Sequence, residues 1–473
     1  MTLGRLHERA LAPERKLSLI ALYRSGETYP TEVMGAILAR IENLNPKLNA
    51  FCFLDREGAQ RAAAESTARW LAGAPQGPLD GVPVSIKDLI VTRGMPTRRG
   101  SLTVDPAGPW NDDAPLVARL RAAGAILFGK TTTPEFGWKG VTESPLTGVT
   151  RNPWNPEMTS GGSSGGAGAQ VASGMGPMGF GTDGGGSIRI PASFCGIVGF
   201  KPSYGRIPLW PASPVGTLAH AGPMTRTVAD AALLMSVVSG PHALDWTALP
   251  AAETPWTREL EGGIRGRRIA FSPALGSARV HPEVAAAVAA AVHAFEEAGA
   301  TVENAEPDVS GAQASIETLW NVGCYGAQRR MTPEQLDKLE PALRDVGRAG
   351  AAVSLDALLT AQETRSSLAS RLHAFHRRFD LLVSPAMPST AFPVGSNLPL
   401  REDGQPDRDW SPFTYPFNLS QQPCVSVPCG FASTGLPIGL QIVGPPHADM
   451  LVLQAARAFE QARPFASAWP PFD

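Results

Sequence analysis

Val33, Ile37, Leu38, Ile41 and Leu44 recur at helical spacing. They predict an amphipathic helix over 31–44, capped by Thr31 and stopped at Asn45-Pro46. An Ala-rich helix is expected over 61–71. Unbroken apolar runs mark buried strands over 82–86 and 125–128; the second follows a helix over 114–123 that Gly124 closes. A helix over 164–172 and a short strand over 178–181 come next. Further helices are predicted over 227–238, 282–298 and 450–461. Further strands are expected over 268–272, near Thr301, and over 380–384, 424–428 and 438–443. Strand and helix patterns alternate throughout, with no internal repeat and no clean break. The expected class is therefore α/β, one large domain over 1–473 around a mixed or largely parallel twisted sheet. Residues 1–75 read as an N-terminal helical segment and 80–230 as the core that carries chemistry. The irregular stretch 385–422 is long enough to be a lid or pocket wall.

Composition narrows the classes. With 41 basic and 43 acidic residues in 473, the chain has no basic excess for nucleic acid. No apolar run reaches the ~18 residues of a membrane span. Residues 1–16 alternate charge with short apolar stretches, unlike a secretory signal. The five cysteines, Cys52, Cys195, Cys324, Cys424 and Cys429, form no CxxC pair and read as reduced, mostly buried thiols. A cytoplasmic location, no cofactor and no metal are expected. Asn418-Leu419-Ser420 matches a glycosylation acceptor but carries no weight without a signal peptide.

Several motifs mislead. Gly124 to Thr131 fits GxxxxGK[ST], yet its variable residues are themselves an apolar strand and cannot wrap a phosphate. Gly161-Gly162-Ser163-Ser164-Gly165 fits the GxSxG nucleophile elbow, and His373, His376 and His447 follow it in the chain. The segment before Ser163 is a turn-rich loop rather than a strand, which weighs against an esterase built on Ser163. His373 and His376 sit three apart on a helix among Arg371, Arg377 and Arg378, the company of a solvated face rather than a zinc site. Cys195, between Phe194 and Ile197, reads as a structural thiol.

The chemistry concentrates in two Gly-Ser clusters, 161–166 and 181–189, whose Ser163 and Ser187 lie 24 positions apart. Ser187 follows Gly184, Gly185 and Gly186, whose N–H groups can converge as an oxyanion nest. A nucleophilic serine needs a base. Lys87, at the end of an apolar run, can serve if burial keeps it neutral. Taken one at a time, a glycine-rich surface turn and a surface lysine paired with Asp88 account for these residues better.

Taken together, the segments 81–88, 161–166, 181–192, 194–202, 222–227 and 435–441 resemble the amidase signature family across most of the chain. The resemblance implies a Ser–cis-Ser–Lys triad: Ser187 as nucleophile, Ser163 as bridging serine after a cis Gly162–Ser163 bond, and Lys87 as base. It also implies helices on both faces of the sheet and supporting roles for Ser164, Asp183 and Arg189. The activity implied is hydrolysis of amide C–N bonds through an acyl-enzyme. Family members include general amidases, carbamate hydrolases and the glutaminase subunit of tRNA amidotransferases. The segment Thr217 to Pro223 lacks the Ser-Leu-Asp-Gln stretch expected of that subunit, which favours a free-standing hydrolase. The expected partner is a small amide, carbamate or ester, with a homodimer left open. The loop 136–140, with Gly137 and Trp138, and Phe413, Tyr415 and Phe417 of the 385–420 segment are expected to line an acyl pocket for aryl or alkyl groups.

Overall fold

In the computed structural model, residues 19–401 and 403–471 are described; the reading of 1–16 lies outside them. Eleven strands form one sheet. In chain order they are β1 (Phe51–Leu54), β2 (Pro83–Lys87), β3 (Ile126–Thr131), β4 (Met178–Asp183), β5 (Val198–Lys201) and β6 (His220–Thr225), then β7 (Arg268–Phe271), β8 (Thr301–Asn304), β9 (Leu381–Pro385), β10 (Cys424–Phe431) and β11 (Pro437–Val443). Across the sheet they run β1-β3-β2-β4-β6-β5-β10-β11-β9-β7-β8. The sheet is mixed. Parallel pairs β3–β2–β4 and β9–β7–β8 flank an antiparallel centre from β4 to β9.

The two-residue period of the strands sorts side chains between two helical layers. On β11, Ile438, Leu440 and Ile442 join the large core under the helices Val228–Val238, Pro282–Glu297 and Asp449–Ala462. Gly439 faces the other way, where a Cβ would meet Ser193 of the helix Arg189–Cys195. β2 sorts likewise: Val84 and Ile86 enter the large core, while Ser85 donates a 2.8 Å hydrogen bond to Gln170 on the helix Gly165–Ala172. Lys87 shares the face of Ser85. The site therefore grows on the Gly-rich face, where β4 contributes Gly179 and Gly181 and small residues let the helix close in.

The helix expected over 31–44 runs Pro30–Leu48, starting before Thr31 and passing the expected stop at Pro46. Tyr29 is its N-cap, and Glu32 accepts from the Tyr29 N–H and the Thr28 hydroxyl. Pro46 removes only a hydrogen bond to the carbonyl of Glu42, which is exposed and can turn to water. The irregular 385–422 stretch holds one short helix, Pro416–Leu419. Among the described residues no helix is long and apolar enough to cross a membrane.

Candidate active site

Lys87 ends β2 fully buried. Its Nζ lies 2.7 Å from Ser163 Oγ, 2.9 Å from Ser164 Oγ and 2.9 Å from Thr182 Oγ1. All three partners are hydroxyls, which can donate to a neutral amine as well as accept from a charged one. Burial pulls the Lys87 amine well below its ordinary value, and the charge of Asp183 opposes this only in part. Lys130 and Lys201, on β3 and β5, are buried too, but their Nζ atoms also meet backbone carbonyls: Ile90 O at 2.6 Å for Lys130, beside the hydroxyls of Thr97 (2.8 Å) and Thr92 (3.2 Å), and Pro202 O and Gln422 O for Lys201. Lys130 is thus a strand lysine, as the GxxxxGK[ST] look-alike requires if it is no phosphate loop.

The Gly162–Ser163 peptide bond is cis. Thr142 Oγ1 donates to Gly161 O at 2.9 Å and accepts from the Gly165 N–H at 3.0 Å, clamping both sides of that bond. No strand leads into Ser163, and its hydroxyl faces Lys87 rather than a histidine. The Ser187 hydroxyl has no hydrogen-bond partner among the described residues. Ser187 lines the same cavity as Ser163, while the Ser187 carbonyl accepts from the Ser164 N–H at 3.1 Å.

Asp183 builds the second loop. Its carboxylate accepts from the N–H groups of Gly186 (2.8 Å) and Ile188 (3.1 Å), from Arg189 Nε and Nη2 (both 3.0 Å) and from Asn418 Nδ2 (2.8 Å). Burial alone would raise this carboxyl. The charge and hydrogen bonds of Arg189, with help from Lys201 and Asn418, hold it well below the usual carboxylate range. Arg189 spends its remaining donors on Thr414 O, Gln441 Oε1 and Asn418 Oδ1. The expected donor set needs one correction: the Gly186 N–H belongs to Asp183, so the amides left free at the loop are those of Gly184, Gly185 and Ser187.

The cavity in front of the serines measures about 1110 Å³ with its open mouth. Gly137 and Trp138 line it. Tyr415 does not: its hydroxyl donates to Asp409 at 2.8 Å. Phe413 and Phe417 are fully buried in a core cluster. The 385–420 segment is a buttress behind the loop, where Thr414 Oγ1 donates to Gly185 O at 2.7 Å. The walls come instead from the Pro-rich stretch 208–215 and from Trp320, Cys324 and Leu343, carried by the helices Ala312–Gln328 and Pro341–Ala351. Glu340 latches these helices to the 135–139 loop, accepting from Trp138 Nε1 (3.0 Å) and Lys139 Nζ (2.6 Å), while its N–H donates to Glu135.

Thr182, Thr142, Thr414 and Asn418 escaped the sequence reading. Asn418 was visible only as an irrelevant glycosylation match. His220, also on the cavity wall, sets its Nδ1 2.8 Å from Leu218 O and 3.2 Å from Asp183 O, so that nitrogen carries the proton. Burial, then the charge of Lys201, keeps His220 neutral. His373, Arg377 and Arg378 are exposed, as a solvated face requires, while His376, the C-cap of the helix Leu355–Phe375, is half-buried and folds back so that Nδ1 lies 3.1 Å from Phe379 O. Cys195 is buried, and burial pushes its thiol up.

A protein-family model described as Amidase matches residues 32–453. An acylamidase of Rhodococcus erythropolis is 38% identical over 96% of both chains. A glutamyl-tRNA(Gln) amidotransferase subunit of Myxococcus xanthus is 36% identical over 95% of this chain and 97% of that one. Among solved structures, a bacterial aryl acylamidase of the amidase signature enzymes superposes with TM-score 0.88 at 30% identity, covering 95% of this chain and 98% of that one. A 6-aminohexanoate cyclic dimer hydrolase gives 0.85 at 32%, over 95% and 97%. With that match and this fold, the chain belongs to the amidase signature family and is an amidase, hydrolysing amide bonds.

Proposed function

We propose that this amidase cleaves aryl and alkyl amides, with carbamates and esters as lesser substrates, by a Ser187–Ser163–Lys87 relay. The observation that carries this reading is the buried Lys87 amine ringed by three hydroxyls beside the unpartnered Ser187 hydroxyl. Ser187 Oγ bonds to the substrate carbonyl carbon while its proton passes to Ser163 and the Ser163 proton to Lys87. The free amides of Gly184, Gly185 and Ser187 are placed to receive the oxyanion. The relay reverses to protonate the leaving amine as the C–N bond breaks, and water then hydrolyses the acyl-enzyme. The acylamidase relatives and the aromatic wall of Phe136, Trp138, Trp210 and Trp320 support an aryl preference. Five free cysteines suit the reducing cytoplasm.

The test is fluorophosphonate labelling with peptide mapping, alongside hydrolysis of a 4-nitroanilide panel. A Ser187 adduct with anilide turnover is expected. An adduct on Ser163 would revive the nucleophile-elbow reading. Glutamine hydrolysis without anilide turnover would favour the amidotransferase-type reading, which the similarity to such proteins keeps in view.

A further inference from the structure

The turn 98–100 hangs from the residue after Lys87. Asp88 accepts from the Arg98 N–H (3.0 Å) and the Gly100 N–H (3.0 Å) through its carboxylate, and from the Arg99 N–H (3.1 Å) through its carbonyl. Three amides on one buried residue fix the turn rigidly. Within it Arg99 takes φ 57°, a left-handed conformation that a long side chain adopts only when its surroundings hold it there. The next loop is tied on: Phe136, itself at φ 53°, donates its N–H to Arg99 O at 2.8 Å. A Cβ built on the following residue, Gly137, would stand 3.2 Å from Ser163 Oγ. The backbone of Arg99 is thus coupled to the reacting serines through one short loop.

The Arg99 side chain lines the cavity, half-buried. Its guanidinium has no hydrogen bond, ion pair or aromatic ring as partner among the described residues. It is the one cationic side chain among the described residues lining the cavity. The one carboxylate there, Asp183, is saturated by Arg189, and His220 is held neutral. Burial lowers Arg99 from its ordinary value, opposed in part by Asp88, which marks a cation short of compensation. Around it the wall is aromatic and aliphatic, a setting in which a charge-assisted, two-pronged contact to a carboxylate is stronger than at the surface.

We propose that Arg99 is a specificity residue that receives a carboxylate of the substrate, so that the preferred substrates are amides bearing an apolar body and an anionic group a few atoms from the scissile bond. The inference rests on the amide-hydrolase reading above and adds the charge of the substrate to it.

Two matched pairs test it: the 4-nitroanilide of glutaric acid against that of pentanoic acid, and N-acetyl-4-aminobenzoate against acetanilide. The carboxylate lies on the acyl side in the first pair and on the amine side in the second. In the wild type, one pair is expected to favour the anion at least about 10-fold in kcat/KM, mainly through KM. R99Q should bring that ratio near one, and R99K, which keeps the charge but not the fork, should restore part of it. Because the readout is a ratio within each variant, a general loss of folding does not mimic it. A wild-type ratio at or below one in both pairs overturns the proposal, as does a ratio that R99Q leaves unchanged. If no anilide is hydrolysed, the catalytic reading has failed, and calorimetry decides Arg99 separately. Glutarate or 4-aminobenzoate should bind the S187A enzyme at least about 10-fold more tightly than the S187A/R99Q enzyme; equal binding sinks the assignment.

Discussion

Replacing Asp183 by Asn changes one atom type at the centre of the candidate catalytic loop. The carboxylate accepts five hydrogen bonds, and Arg189 beside it is fully buried. Asn keeps one acceptor oxygen and turns an NH₂ toward a donor, so at least one of Arg189 Nε, Arg189 Nη2 and the Gly186 and Ile188 amides loses its partner. Removing one member of a buried pair costs about 3–5 kcal/mol; the isosteric change puts D183N at about 3. Unfolding entropy scales at ~2.1 cal/mol/K per residue, about 1 kcal/mol/K for 473 residues, so the melting point should fall by about 3 °C. The freed loop also carries the candidate oxyanion amides, and a displaced donor costs about 10²–10³ in kcat. Because the folded carboxyl is held below its ordinary 3.8, the wild-type advantage is full above about pH 4 and shrinks as pH falls below it. Calorimetric melting from pH 3 to 8 and anilide turnover read both effects. A D183N enzyme that melts within 1 °C of wild type at pH 7 and keeps kcat within about threefold would refute this account of the loop.

The remaining predictions are smaller. In the proposed relay neutral Lys87 is the reactive form, and burial lowers its proton affinity, so kcat/KM should rise with pH and level off well below the ordinary 10.5; a midpoint at or above 10.5 in the pH–rate profile contradicts the relay. G137A forces a Cβ to 2.7 Å from Leu89 Cδ1 and 3.2 Å from Ser163 Oγ at φ 72°, so steady-state kinetics should show about a tenfold or greater loss of kcat. Y415F removes the bond to Asp409 and should lower stability by about 1 kcal/mol in urea titration while KM for anilides stays put; a shifted KM would return Tyr415 to the pocket.

Legibility in the sequence followed the physics of each segment. That Lys87, Ser163 and Ser187 gather at one cavity was legible because glycine-rich loops leave a dense local pattern. The strand periods around 82–86 and 438–443 were equally plain, since burial on both faces forces apolar runs. The helices Ala312–Gln328 and Pro341–Ala351 went unassigned for the opposite reason. On the second, a Cβ on Gly350 would collide with Asn321 O of the first, and one on Gly347 with the Gln328 side chain. These glycines mark a close helix crossing, which only the fold reveals. The aromatics at 413–417 misled because a phenylalanine facing a cavity and one facing a core look the same along the chain.

The Glu340 latch divides the enzyme's labour. The proposed chemistry is housed in the sheet and its two loops, with 385–422 braced behind. Part of the chamber's outer wall belongs to 312–351, a helical segment clasped to the 135–139 loop by the Glu340 carboxylate and amide and by the Trp320 indole, which donates to Trp138 O at 3.0 Å. A change confined to such a segment would reset which acyl or amine groups fit while the proposed proton relay stays in register. Diversity of substrates on an unchanged reaction is then a matter of swapping a cassette.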